Sequence, residues 1–267
     1  MREWLLILAG IGLVMLGVAL GWTAAYSGEA DDRDTLFQVS TIEALLVGGY
    51  DGVYIFDELS GHGDFGIGTF DGLDGEMIAV DGIYYQVKAD GKVYPVNGSM
   101  ATPFATVTYF DPDLEFRIEN AGNFSEFNTI ATSMIPSRTM LYAVRIDGRI
   151  PYVKARAIPR QQHPYPLLVD AAKEQSIFLI NNTNGTIVGF YTPSSFQGLN
   201  VPGFHLHYID SLRSVGGHIL DFSLENATMV LDATPEFALL LPHQENTQEI
   251  VTTRNLTKDL ESVEKGG

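Results

Sequence analysis

AVDGIYYQVKADGKVYPV, residues Ala79 to Val96, is the stretch that decides the fold class. Its apolar residues are mostly β-branched or aromatic, and the pairs Asp81-Gly82 and Asp90-Gly91 divide them. Asp-Gly supplies the positive φ that tight hairpin turns demand. The stretch therefore predicts strands joined by two turns. Working outward, GVYIFDE, MIAVDGIYYQVK, KVYPV and FATVTYF share this texture, as do SIFLI, GTIVGFYT, GFHLHYI, HILDFSL and ATMVLDA further on. TMLYAVRIDGRIPYVKARAI predicts another hairpin, turning at Asp147-Gly148. Helical patterns are fewer. Gln38–Gly49 reads as a helix with a Ser40/Glu43 capping box. Phe124–Ile135 and Pro166–Gln175 follow, and the tail TRNLTKDLESVEKGG has helical spacing. Strands dominate and hairpins outnumber β-α-β crossovers, so the expected class is α+β with a largely antiparallel or mixed sheet.

With 267 residues and 45% hydrophobic content, the chain is long enough for a sizeable core. Only 18% of residues are charged, but 33 acidic against 16 basic residues give a formal net charge of -17. Such a surface repels polyanions, which argues against nucleic acid and anionic lipid as partners. Cysteine is absent, which excludes disulfides, thiolate metal sites and a cysteine nucleophile. Any metal site must use nitrogen and oxygen ligands.

Trp4 to Ala25 carries no charge, and as a helix it would span the ~30 Å hydrocarbon core of a bilayer. Residues 1–30 are expected to be a membrane anchor, or a signal peptide with Thr23 and Ala25 as small cleavage-site residues, followed by a short linker. Either places residues 31–267 outside the cytoplasm. Asn97, Asn123, Asn181, Asn184, Asn226 and Asn255 each begin Asn-x-Ser/Thr, the acceptor pattern for N-linked glycans.

GFHLHYIDSLRSVGGHILDF, Gly203 to Phe222, holds three of the six histidines. On a strand, residues two apart share a face, so His205 and His207 project together. Gly216-Gly217 allows the chain to reverse and bring His218 alongside. Three imidazoles with an open fourth position suit a catalytic metal; the same spacing also suits ordinary hydrogen-bonded residues of a packed sheet. SGHGDFGIGTFDGLDGEM, Ser60 to Met77, lacks the spacing of a nucleotide-binding glycine loop and of an EF-hand. It still mixes Thr69 and Glu76 with unusual backbone freedom, as active-site loops do. In PYVKARAI, Arg156 is a strand-borne arginine that either faces solvent or offers a fixed fork to a carboxylate. Neither G-x-S-x-G nor H-E-x-x-H occurs.

Four blocks in order, LFQVSTIEALLVGGYDG, GHGDFGIGTFDGLDGEM, YAVRIDGRIPYVKARAIPRQQHPY and GFHLHYIDSLRSVGGHILDF, resemble the α-acetolactate decarboxylase family. The resemblance covers nearly all of Thr35 to Asp221. It implies an α+β fold of two β-rich parts with the metal site in a cleft, commonly dimeric. It also implies a zinc enzyme that converts 2-acetolactate to acetoin and carbon dioxide. His205, His207 and His218 match the family's metal ligands, Glu76 its active-site glutamate, Arg156 its active-site arginine and Thr69 a substrate-proximal threonine. The family returns a tail glutamate to the site; Glu264 is the best match and Glu261 the fallback. Two other readings remain at this stage: an extracytoplasmic metal- or ligand-binding module without turnover, and a zinc hydrolase.

Overall fold

The structure is a computed structural model, and it describes residues 32–242 and 255–265. The hydrophobic segment expected over residues 1–30 lies outside the described residues. Among those described, no helix is long and apolar enough to cross a membrane.

The chain runs β1 (Thr35–Val39), α1 (Ile42–Leu46), β2 (Tyr54–Ile55), α2 (Phe56–Leu59), β3 (Phe65–Thr69), β4 (Glu76–Val80), β5 (Ile83–Val87) and β6 (Val93–Pro95). Next come β7 (Ala101–Thr102), β8 (Ala105–Thr108), β9 (Leu114–Ala121), α3 (Phe124–Met134), β10 (Tyr142–Ala157) and α4 (Leu168–Ala171). Then follow β11 (Ser176–Thr192), β12 (Gly203–Asp210), β13 (Gly216–Ala233), β14 (Glu236–Leu240) and α5 (Leu256–Lys265). A seven-stranded sheet has the order β14-β1-β8-β3-β4-β5-β6, in which only β1 and β14 pair in parallel. A five-stranded antiparallel sheet has the order β10-β11-β12-β13-β9, and β10 also pairs with β13. Strands β10 to β13 thus hydrogen-bond in a closed ring. A short β2-β7 pair completes the described sheets. The α+β expectation with mixed sheets and few helices holds.

Val80 and Ile83 pair across Asp81-Gly82, both at positive φ (54° and 76°), as a two-residue turn requires. The second turn is longer: Lys88 N–H bonds Lys92 O, and Gly91 takes φ 77°. Three local expectations give way to tertiary pairing. Asp147-Gly148 does not turn; β10 runs straight through, with Asp147 opposite Thr186, Gly148 opposite Gly185 and Arg149 opposite Asn184. On the β13 side the register shifts between Asp147 and Arg149, and a Cβ on Gly148 would lie 2.7 Å from the Ala227 Cα. SIFLI and GTIVGFYT merge into the one strand β11, and HILDFSL and ATMVLDA into β13. Gln38 lies in β1 rather than in a helix. Its side chain donates 2.7 Å bonds to Ser40 O and Leu199 O, and the helix cap is Thr41, whose hydroxyl accepts from Ala44 N–H.

Both faces are covered where the two large sheets meet, while the Ser176–Asn184 half of β11 is left unburied. Leu36, Phe65, Ile67 and Ile78 from the first sheet meet Ala143, Val188 and Phe190 from the second. Behind the second sheet, Phe204, Leu206, Tyr208 and Phe222 pack with Phe127 of α3, and Phe127 lies 5.1 Å from the Phe204 ring. Burying each such side chain contributes about 1.5–3 kcal/mol. Burial on both faces explains why β12 carries no polar face to solvent: from Phe204 to Asp210 every residue is buried.

Asp232, on β13, is fully buried; its Oδ2 accepts from Asp111 N–H and its Oδ1 has no partner. Burial pushes its carboxyl up to about 7, helped by Asp113, Asp34 and Asp111 and opposed by the Asp111 amide. Its folded value thus exceeds the ordinary carboxylate value. Its contribution to stability should be full below about pH 4, fall by roughly 1.4 kcal/mol per pH unit above that, and be gone above about pH 7. Asp232→Asn should flatten that slope in urea titrations at pH 5 and pH 8. An unchanged slope would remove Asp232 as its source.

Candidate active site

Strand alternation places Phe204, Leu206 and Tyr208 in the rear core and sends His205 and His207 toward the first sheet. The reversal after Asp210 returns β13 so that His218 pairs directly with His207. Asp210 holds that reversal, accepting from Ser214 N–H at 2.6 Å and Val215 N–H at 2.9 Å. The three rings lie 5.1–5.3 Å apart between centroids, and one nitrogen from each falls within 4.8 Å of the others.

The residues fit a metal ion. His207 Nδ1 lies 2.9 Å from Met77 O; a carbonyl only accepts, so Nδ1 carries the proton and Nε2 is left with its lone pair. His218 Nε2 is buried without a hydrogen-bond partner. Burial, with Arg156 adding to it, holds His205 down to about 3. His207 and His218 are held well below the ordinary histidine range, mainly by burial. His205 Nε2 also lies 3.2 Å from His218 Nδ1, and three uncharged imidazoles this close are a nitrogen donor set for a borderline cation such as zinc.

The carboxylates come from opposite sides. Glu76 opens β4, across the sheet interface, with Oε2 3.7 Å from His207 Nε2. Arg156, near the end of β10, sits opposite His218 and donates from Nη1 to Glu76 Oε1 at 2.9 Å. Both are buried, and Arg156 Nε has no partner. Glu264 arrives on α5, with Oε2 3.6 Å from His218 Nε2 and 3.9 Å from His205 Nε2. Burial raises both glutamates to about 7, with Arg156 pulling each the other way. Glu264 keeps 18% of its side chain exposed, so its shift is the softer of the two. Thr69 faces the same cavity, but its hydroxyl donates to Gly75 O at 2.7 Å, which leaves it only lone pairs to offer a ligand.

Gly75 sets the approach of Glu76. It takes φ 82°, donates to Ile158 O at 3.0 Å, and a Cβ there would collide with the Val87 carbonyl oxygen. Gly75→Ala should therefore cost about 3 kcal/mol or more, read as a lower urea midpoint. A loss below about 0.5 kcal/mol would show that this turn tolerates a side chain.

The sequence profile of alpha-acetolactate decarboxylases matches residues 36–251. Over 232 residues the chain is 53% identical to the alpha-acetolactate decarboxylase of Methanosarcina mazei, covering 87% of this chain and 81% of that one. The chain belongs to the alpha-acetolactate decarboxylase family. It is also 41% identical to the alpha-acetolactate decarboxylase of Bacillus subtilis strain 168, over 86% of this chain and 90% of that one. A crystal structure of the alpha-acetolactate decarboxylase from that strain aligns with a TM-score of 0.81 and 39% identity, over 87% of this chain and all of the other.

For this member of the decarboxylase family, Thr69, Glu76, Arg156, His205, His207, His218 and Glu264 all line one cavity. Glu261, the fallback, is exposed. Sequence reading missed the cavity's apolar wall: Ile42 and Leu45 of α1 with Leu73, Phe104, Ile158 and Leu168. It also missed Met77, whose backbone oxygen orients His207 and leaves no side-chain signature. For the tail, a signal existed. Leu256, Leu260 and Val263 form one stripe that packs against the Ile42 and Leu45 cluster. Glu264 flanks that stripe at helical spacing.

Proposed function

We propose that this decarboxylase converts 2-acetolactate to acetoin and carbon dioxide, using a zinc ion held by His205, His207 and His218. The observation that carries the reading is the convergence of three neutral, buried imidazoles with Glu76, Glu264 and Arg156 on one cavity. 2-Acetolactate bears a carboxylate, a hydroxyl and a ketone on adjacent carbons, and loss of carbon dioxide leaves an electron pair beside the ketone. A zinc ion at this site supplies a Lewis acid for that developing charge.

The chain's own residues do the rest. Arg156 anchors the substrate, because its side chain lines the cavity and keeps a buried, unpartnered Nε donor for an acidic ligand. Its bond to Glu76 fixes the guanidinium plane before substrate arrives. Thr69, its own proton held by Gly75 O, offers the cavity only acceptor lone pairs. The apolar wall receives the two methyl groups and excludes water. Glu76 and Glu264 approach the cavity from different elements, so one can take the hydroxyl proton and return it to oxygen, while the other delivers a proton to one face of the carbon that lost carbon dioxide. Delivery from one side yields a single acetoin enantiomer.

The test is acetoin release from 2-acetolactate by the purified chain before and after exhaustive chelation, with bound metal measured in parallel. Activity should fall with metal content and return when zinc is restored. Full turnover in metal-free protein would overturn the zinc reading.

A further inference from the structure

Serine and threonine make up 33 of the 267 residues. By composition, eleven asparagines would start about one or two Asn-x-Ser/Thr triplets; six do. All six are exposed. Asn97, Asn123 and Asn255 each use Oδ1 as an acceptor, from the N–H of Ser99, Glu126 and Lys258. The side chains of Asn181, Asn184 and Asn226 make no hydrogen bond among the described residues. Nδ2 is thus free at all six. Buried Asn200, which starts no triplet, is the contrast: its Nδ2 donates to Gln38 and Thr106.

Three of the six share one band across the middle of β10, β11 and β13. Asn181 on β11 lies opposite Tyr152 of β10, and Asn184 opposite Arg149. Arg149 also faces Glu225 of β13, beside Asn226. None lines the active-site cavity. Asn226 is eight residues along β13 from His218, roughly 27 Å at the usual strand rise.

We propose that Asn181, Asn184 and Asn226 are N-glycosylation sites, modified outside the cytoplasm. The donor is a lipid-linked oligosaccharide. Nδ2 forms a bond to the sugar C1 and loses one proton, and the bond from C1 to the lipid phosphate breaks with the phosphate keeping the electron pair. Oδ1 is untouched. The uncharged run from Trp4 to Ala25 provides the route of export. At Asn184 the transfer precedes folding, because the Thr186 hydroxyl that completes its triplet is buried and donates to Asp147 in the folded chain.

The proposal is independent of the decarboxylase reading, and its test reads mass, not turnover. Full-length protein from its native cells is compared by intact mass and peptide mapping with the same chain made in a cytosol that lacks the transferase. The native peptides carrying Asn181, Asn184 and Asn226 should be heavier by whole glycans. Thr228→Ala, which leaves Asn226 in place, should abolish the increment there; Asn184→Gln should abolish its own. Acetoin formation should stay within about twofold in both variants, since neither residue lines the cavity. Bare polypeptide mass at all three peptides would overturn the proposal. So would glycans confined to Asn97, Asn123 or Asn255, because this mid-strand band would then not be the modified surface.

Discussion

His218→Ala is expected to lower acetoin formation by about 10³-fold or more and to reduce bound metal from near one per chain to near zero. His218 Nε2 is buried with no hydrogen-bond partner, whereas His207 has its Met77 carbonyl. If His218 were only a packing residue, its removal would delete one unpaired nitrogen, take the 3.2 Å Nδ1 partner from His205 Nε2 and leave a small void, costing about 1–3 kcal/mol of stability. If it is a ligand, two imidazoles remain. Two are too few for the three protein ligands that a catalytic zinc keeps, and the Lewis acid departs with the third. Metal content measured beside melting of the metal-free proteins separates the two cases. Retained metal with retained turnover would show that His218 is structural.

Arg156→Met should lower kcat/KM by about 10²–10⁴-fold and destabilise the fold by up to about 3–5 kcal/mol. The cost follows from the Arg156–Glu76 pair, whose side chains are 5% and 9% exposed. Removing one partner of a buried pair leaves the other as an uncompensated charge. Here Glu76 can escape by taking a proton, since burial already holds it at about 7 with the arginine present. The loss therefore belongs at the low end of that range near neutral pH. Arg156→Met combined with Glu76→Gln should recover most of the stability and none of the activity. Arg156→Lys keeps the charge but loses the planar fork, so it should retain stability better than turnover. Equal recovery of both in the double variant would mean that Arg156 has no role toward substrate.

Much of this architecture was legible because its signals are local. Asp81-Gly82 turns where a two-residue hairpin demands positive φ at both positions. The helix expected over Phe124–Ile135 forms as α3, Phe124–Met134, and β-branched runs became strands. Where the reading failed, a distant partner outweighed a local preference. Asp147-Gly148 is a strong turn dipeptide, yet the β11 ladder runs unbroken through it and β13 pairs on either side of a register shift between Asp147 and Arg149, so a continuing strand keeps both neighbours. Gln38 reads as helical until Leu199, far along the chain, accepts its side-chain amide.

The site divides along the same line. By itself the sequence determined that His205 and His207 share a face, because alternation is a property of the strand, and that His218 can join them, because its reversal is short. It determined through family likeness that Glu76, Arg156 and a tail glutamate belong with them. Only the tertiary structure decided that His207 is oriented by the Met77 carbonyl, that Arg156 bonds Glu76 rather than solvent, and that Glu264 rather than Glu261 faces the imidazoles. Those contacts join residues 80 to 130 positions apart in the first two cases, and a helix to two strands in the third. Local periodicity says which side of an element a residue occupies. Which other element lies against that side is settled by burial of apolar surface over the whole chain, here the two sheets closing on Ile78, Val188 and Phe190 with α5 docked by Leu260 and Val263.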